Sequence, residues 1–177
     1  MAILRMENGK IHKYWNAIAS HIGGLKVVID RIPLQNTPTL QEIMRKEVLN
    51  DHERQRILET HKHQFKAIQK RDNYQWREIM ILHPGSPLLY PLLTQNMPWH
   101  THQQAEGYHI LEGECIIGLK HPDGMEMELL LQKEDYIKIP AGVPHWFSLT
   151  NSLNLKAIKY SLTVKGSQYQ YANSNLY

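Results

Sequence analysis

Four residues in the second half of the chain have the types and spacing of a metal centre. The segment His100-Thr101-His102-Gln103-Gln104-Ala105-Glu106 holds two imidazoles and a carboxylate at positions of equal parity. Side chains two apart on a β-strand point to the same face, so all three can project inward, whereas on a helix the two histidines would diverge. A fourth donor is His145, at the end of Pro140-Ala141-Gly142-Val143-Pro144-His145, where turn residues deliver it to the start of another strand. Three imidazoles and a carboxylate suit a borderline divalent ion such as iron(II), nickel(II), manganese or zinc. Cys115 is the single cysteine, which excludes an internal disulfide and any cysteine-rich zinc module. Taken singly, each of the four reads as a surface residue; their joint spacing with Gly113 and Pro140-x-Gly142 marks a site.

Most of the other chemistry-bearing residues read as structural. The chain has eleven histidines. His61 and His63 fall in a predicted helix, where two residues apart means different faces, so His61 is expected half-buried and His63 solvated. His83 begins a turn, and His109 has the wrong parity to share the cavity of the four candidates. Cys115 has no flanking cation to activate a thiolate and reads as a small buried hydrophobe. Asp135 follows a turn and reads as a turn residue. Trp146 and Phe147 alternate faces, so one of them packs in the core.

The elements that must position the site fall into two regimes. Trp15, Ile18, Ala19 and Ile22 recur at helical spacing and stop at Gly23-Gly24, and Leu25 to Ile29 reads as a strand. Thr37-Pro38 places a cap before a proline, opening a helix expected to run through Leu49. Asn50 with Glu53 forms a variant capping box for a second helix, lined by Ile57, Leu58, His61, Phe65 and Ile68, down to about Lys70. From Trp76 onward, short apolar runs separated by His83-Pro84-Gly85-Ser86-Pro87, His121-Pro122-Asp123-Gly124 and Pro140-Ala141-Gly142 predict successive antiparallel strands. Helices followed by strands predict an α+β, mainly β protein with its helices packed on one side of a barrel.

The 177 residues are enough for one domain with a real core and too few for two ordinary ones. We expect a single domain over 1–177, with a helical part at 1–75, a β-barrel at 76–165 and a tail at 166–177. Hydrophobic residues at 42% and charged residues at 21% are ordinary for a globular protein. The net charge of +3 does not come from a basic patch, because Lys and Arg between Arg45 and Arg77 are interleaved with Glu and Asp. Nucleic acid is therefore not an expected partner. No run reaches the length of a membrane span and no signal-peptide core precedes Gly24, so no membrane partner and a cytoplasmic location are expected.

The spacing His-x-His, three residues, Glu106, six residues, Gly113 resembles the first cupin motif without its leading glycine, and Pro140-x-Gly142-x-x-His145 resembles the second. With Pro144-His145-Trp146-Phe147, Lys156-Ala157-Ile158-Lys159, the Tyr74-to-Pro87 segment and the upstream helices, the chain is similar to the acireductone dioxygenase family from about Leu25 onward. That resemblance implies a cupin (jelly-roll) barrel in which His100, His102, Glu106 and His145 bind one iron(II) or nickel(II) per chain. The implied reaction is attack of dioxygen on a methylthio-substituted ene-diol ketone of methionine salvage. Iron would give a keto acid and formate; nickel would give a methylthio carboxylate, formate and carbon monoxide. Where the family continues Glu-Val-Arg-Tyr, this chain reads Glu106-Gly107-Tyr108-His109, and a later family arginine is Lys159, which lacks the planar bidentate fork. Tyr108, Lys159 and Phe147 are the expected substrate contacts, Phe147 being the pocket residue that the resemblance favours, and the protein is expected to be a monomer. The alternatives are a cupin oxygenase or isomerase acting on another small chelating substrate, and a metal-binding cupin without turnover.

Overall fold

The computed structural model describes residues 1–163 and, for the backbone, 169–171. In chain order it contains β1 (Ile3–Met6), β2 (Ile11–His12), α1 (Trp15–Ile22), a 3-10 turn (Gly23–Leu25), β3 (Val28–Arg31), α2 (Pro38–Met44), α3 (Asp51–Thr60), α4 (Lys62–Asp72) and β4 (Trp76–Leu82). Then follow α5 (Leu89–Asn96), β5 (His100–His102), β6 (Glu106–Lys120), β7 (Glu126–Gln132), β8 (Asp135–Ile139), β9 (His145–Leu149), β10 (Leu155–Ser161) and β11 (Tyr169–Tyr171). Strands dominate and curl into a cupin barrel, with α2, α3 and α4 against one outer face, whereas α1, expected on that same side, and α5 pack with the barrel core.

One strand organises the barrel. The first half of β6, Glu106 to Gly113, pairs with β8 and β10, and its second half, Glu114 to Lys120, pairs with β7 and β9. Two antiparallel sheets thus share β6: β4-β10-β6-β8-β3, and β11-β5-β9-β6-β7-β1-β2. Between the halves sits Gly113 at φ +77°, where a Cβ would lie 2.0 Å from the Asn154 carbonyl oxygen. A side chain there would be strained and would clash with backbone, so this residue is required by the passage from one sheet to the other. The ladder to β10 also shifts register between Lys156 and Ala157, a bulge that helps the strand turn.

The two faces of the first sheet carry separate cores. Tyr108, Ile110, Ile137, Ile139 and Ala157 face the barrel interior with Ile117, Phe147 and Leu149. Leu111, Tyr136, Ile158 and Tyr160 face outward and pack with Leu40, Ile43, Ile57, Ile68 and Tyr74 of the helical layer. Residues 106 to 111 are consequently buried on both sides, while β7 and β9, with one face toward solvent, alternate buried and half-buried positions.

Local signals set the helix starts more faithfully than their ends. Thr37 Oγ1 accepts from the Leu40 amide at 3.2 Å with Pro38 at the first helical position. Asn50 and Glu53 exchange both capping-box hydrogen bonds, at 2.9 and 3.0 Å. The first of these helices ends at Met44 rather than Leu49. The second breaks at His61 into α3 and α4. His61 is 1% exposed, deeper than expected, because its Nδ1–H turns back to the Ile57 carbonyl at 2.9 Å. Residues 1–75, expected to be helical, also supply β1 and β2 in addition to the expected strand near Leu25. α5 interrupts what read as a continuous series of strands. Most of the predicted tail lies outside the described residues, but within it β11 pairs with β5. No helix among the described residues is long and apolar enough to cross a membrane.

Candidate metal centre

β5 and β9 meet with His100 directly opposite His145. His102 lies two residues along β5 on the same face, and Glu106 opens β6 after a short loop. The three imidazole ring centroids are 4.5, 5.0 and 5.2 Å apart, and one nitrogen from each lies within 4.8 Å of the other two. Glu106 reaches two of these rings: its Oε1 is 3.2 Å from His145 Nε2 and 3.3 Å from His102 Nε2. All four residues are buried, at 3% exposure or less. The barrel thus brings together the three residues singled out by parity and His145 from the Pro140-x-Gly142 turn, and His109 points away, its Nε2–H donating to the Ile32 carbonyl at 3.0 Å.

The hydrogen bonds behind the rings decide what the rings offer. His145 Nδ1 lies 2.8 Å from the Val143 carbonyl oxygen, and His100 Nδ1 lies 2.8 Å from that of Pro98. A carbonyl only accepts, so each Nδ1 carries the ring proton and each Nε2 presents a lone pair toward the cluster. For His145 that lone pair faces a carboxylate oxygen at 3.2 Å. Two electron pairs at that distance repel unless a second ring proton or a cation stands between them. Across the cluster His100 is lowered to about 4, chiefly by burial, with the Pro98 carbonyl pulling upward and the neighbouring His145 and His102 pulling downward, so that ring stays neutral near pH 7. Burial also works to raise the Glu106 carboxyl, but the charge of Lys159 and the contacts with His102 and His145 outweigh it and hold Glu106 well below the usual carboxylate range. A divalent cation fits this donor set, and backbone carbonyls orienting the back nitrogens of imidazoles are the usual support of such a centre.

Beside the cluster lies a narrow crevice of about 20 Å³, lined by Met80, Leu92, Asn96, Tyr108, Phe147 and Lys159. Lys159 Nζ is 3.6 Å from Glu106 Oε2 and 5.7 Å from the centre of the Tyr108 ring. Tyr108 and Phe147 stack at 6.2 Å with 26° between their planes. The three expected contact residues therefore converge on one side of the histidine cluster. Met80, Leu92 and Asn96 were not anticipated. Leu92 and Asn96 arrive on α5, where Asn96 donates to the Leu92 carbonyl at 2.7 Å; the signal that could have found them is the apolar Leu88-to-Leu93 run immediately before the first histidine motif.

The remaining chemistry-bearing side chains take structural places. Cys115 is buried, and burial pushes its thiol pKa far up, which removes it as a nucleophile. His83 Nδ1 accepts from the Gly85 amide at 3.2 Å within its turn. Asp135 accepts from the Gln132 amide at 2.9 Å and pairs with Arg31 at 3.4 Å. Trp146 lies over Gly118, where a Cβ would come within 2.0 Å of the indole.

Comparison with known proteins points one way. The model of the ARD/ARD′ family matches residues 16–166. An acireductone dioxygenase of Trichormus variabilis is 35% identical over 176 residues, covering 99% of this chain and 97% of that protein. One of Trichodesmium erythraeum is 31% identical over 177 residues, covering 100% and 98%. Among solved structures, an acireductone dioxygenase from Bacillus anthracis with a cadmium ion in its active centre superposes with a TM-score of 0.86, covering 97% of this chain and 98% of that one at 23% identity.

Proposed function

The chain belongs to the acireductone dioxygenase family, and from that premise we propose that His100, His102, Glu106 and His145 hold one iron(II) or nickel(II) ion at which a methylthio-substituted ene-diol ketone is cleaved by dioxygen. The protein is a metal-dependent acireductone dioxygenase; the ligand set, the native ion and the products are the finer part of the reading. The observation that carries it is the opposition of the His145 and Glu106 lone pairs at 3.2 Å inside a buried cluster of three imidazoles.

An ion held by His100, His102, Glu106 and His145 would supply Lewis acidity toward the substrate's oxygens. The rest falls to the protein. Lys159 sets a positive charge beside the cluster, where it steadies the negative oxygens of the bound ene-diolate. Tyr108 and Phe147, stacked at 6.2 Å, line the adjoining crevice with aromatic surface. Iron leads to a keto acid and formate, nickel to a methylthio carboxylate, formate and carbon monoxide.

Synthetic acireductone added to separately reconstituted iron and nickel forms tests this reading. Metal-dependent oxygen uptake with the two product sets is expected. Stoichiometric metal without uptake would overturn the reaction and favour a binding cupin. The presence of Tyr108 and Lys159 where the family carries arginines favours one second reading, a different small chelating substrate, and uptake with another ene-diol but not with acireductone would select it.

A further inference from the structure

Helix α5 buries its asparagine more deeply than any of its leucines. Asn96, at 6% exposure, is the one buried residue of Leu89–Asn96, although Leu89, Leu92 and Leu93 lie on the same helix. An apolar side chain would take that place at no polar cost, whereas a buried amide must find partners for its donors and its acceptor. One donor is placed. Nδ2 meets the Leu92 carbonyl at 2.7 Å, and because a carbonyl only accepts, this contact fixes which end of the amide is nitrogen and turns Oδ1 the other way.

The acceptor is left over. Oδ1 takes no hydrogen bond from any described residue, and it is not one of the polar atoms sealed from solvent, so it opens on the crevice that Asn96 lines. That crevice is shared with Lys159, Tyr108 and Phe147, and Met80 and Leu92 close it with apolar surface. Its volume of about 20 Å³ suits one water-sized group. Lys159 Nζ lies 3.6 Å from Glu106 Oε2, so the crevice adjoins the histidine cluster and a ligand held there has its far end beside it. A group entering from the cluster meets an acceptor and a cation. The cation disfavours an ammonium, and a methyl or thioether end leaves Oδ1 unpaired, since neither carries a donor proton. A hydroxyl is small enough, donates to Oδ1 and turns its lone pairs toward Lys159.

We propose that Asn96 is a specificity-determining residue, accepting a hydrogen bond from a hydroxyl at the end of the substrate's tail, so that the ene-diol ketones this chain favours are those with a hydroxyl-ended tail. The inference rests on the reading of the histidine cluster as the place where an ene-diol meets the metal, and it names the substrate class within that reading. Alkyl- and thioether-tailed ene-diols bind through the cluster alone and forgo the contact with Asn96.

The test is anaerobic calorimetric titration of the nickel-loaded protein with two ene-diol ketones that differ only at the end of the tail, a hydroxyl in one and a methyl group in the other. Without dioxygen neither probe is consumed. The hydroxyl-ended probe should bind roughly tenfold more tightly, the worth of one hydrogen bond to an acceptor otherwise left unpaired. Asn96→Leu should abolish that preference while metal analysis shows the ion retained. Equal binding of the two probes to the native protein, or a preference unchanged in Asn96→Leu, overturns the proposal and leaves the cluster's role standing. Binding of neither probe to a protein that keeps its metal is a different result: it removes the reading of the cluster as an ene-diol site, and this inference with it. If Asn96→Leu fails to fold, Asn96→Ala, which only shortens the side chain, and the comparison of probes on the native protein decide it.

Discussion

Glu106 and Asp72 are both buried carboxylates, and the protein keeps them ionised by different means. Asp72, at the end of α4, accepts from Lys138 at 3.0 Å, Arg71 at 2.9 Å and the Tyr136 hydroxyl at 3.1 Å. Burial works to raise its pKa, and these cationic donors more than offset it. Asp72 is complete as it stands, because its partners carry permanent charge and geometry to match. Glu106 meets Lys159 at 3.6 Å and two imidazoles, one of which has its proton committed elsewhere. A carboxylate that faces the unprotonated Nε2 of His145 is arranged for a cation the chain does not itself contain. The distinction between a structural ion network and a metal centre therefore lies in which proton donors are already spent.

The largest effect follows from removing a donor at the metal centre. Glu106→Ala or His145→Ala should take bound metal from one per chain to near none and oxygen uptake to background, by metal analysis and an oxygen electrode. Asp72→Asn should do the opposite: it strands Arg71 and Lys138 and should cost about 3 kcal/mol of stability in a urea titration, with metal stoichiometry unchanged. Loss of metal in Asp72→Asn would erase the contrast between the two carboxylates. Lys159→Gln should retain metal and lower kcat/KM by about 100-fold, the usual effect of removing one positioned electrostatic group.

Smaller effects test how the surroundings hold the centre. β5 pairs with β9 at one register position and with β11 at three, so ending the chain at Thr163 should weaken metal binding by about tenfold, as loss of supporting structure does, without abolishing the fold. The least effect concerns His109 in the outer layer, lowered to about 4 chiefly by burial. Its folded-state pKa lies below its unfolded value, so the unfolded chain binds the proton more readily, and stability falls as pH drops from about 6.5 to 4. His109→Gln should reduce that slope by about one proton, equally with and without metal.

The centre was legible in the sequence because two rules with short reach sufficed. Parity placed His100, His102 and Glu106 on one face, and the Pro140-x-Gly142 turn delivered His145. Thr37-Pro38 and Asn50-x-x-Glu53 were equally readable, since a cap is satisfied within four residues. α5 was not: its run of leucines with Pro91 has no polar stripe, and a short apolar segment reads as strand or helix alike until what covers it is known. The early end of α2 at Met44 goes with a partner distant in sequence, Lys156 donating to the Met44 carbonyl at 2.7 Å, and the break at His61 with the ring turning back to Ile57 and meeting His109 of β6. Asn96 gave no signal because only the position of α5 brings it to the crevice.

The most direct measurement is X-ray absorption spectroscopy of the anaerobically iron-loaded protein beside His145→Ala. Scattering from three imidazoles and a carboxylate oxygen at about 2.0–2.2 Å, with one ring missing or the ion lost in the variant, is the predicted result. An ion coordinated by fewer than two imidazoles, or a spectrum identical in the two proteins, would contradict it.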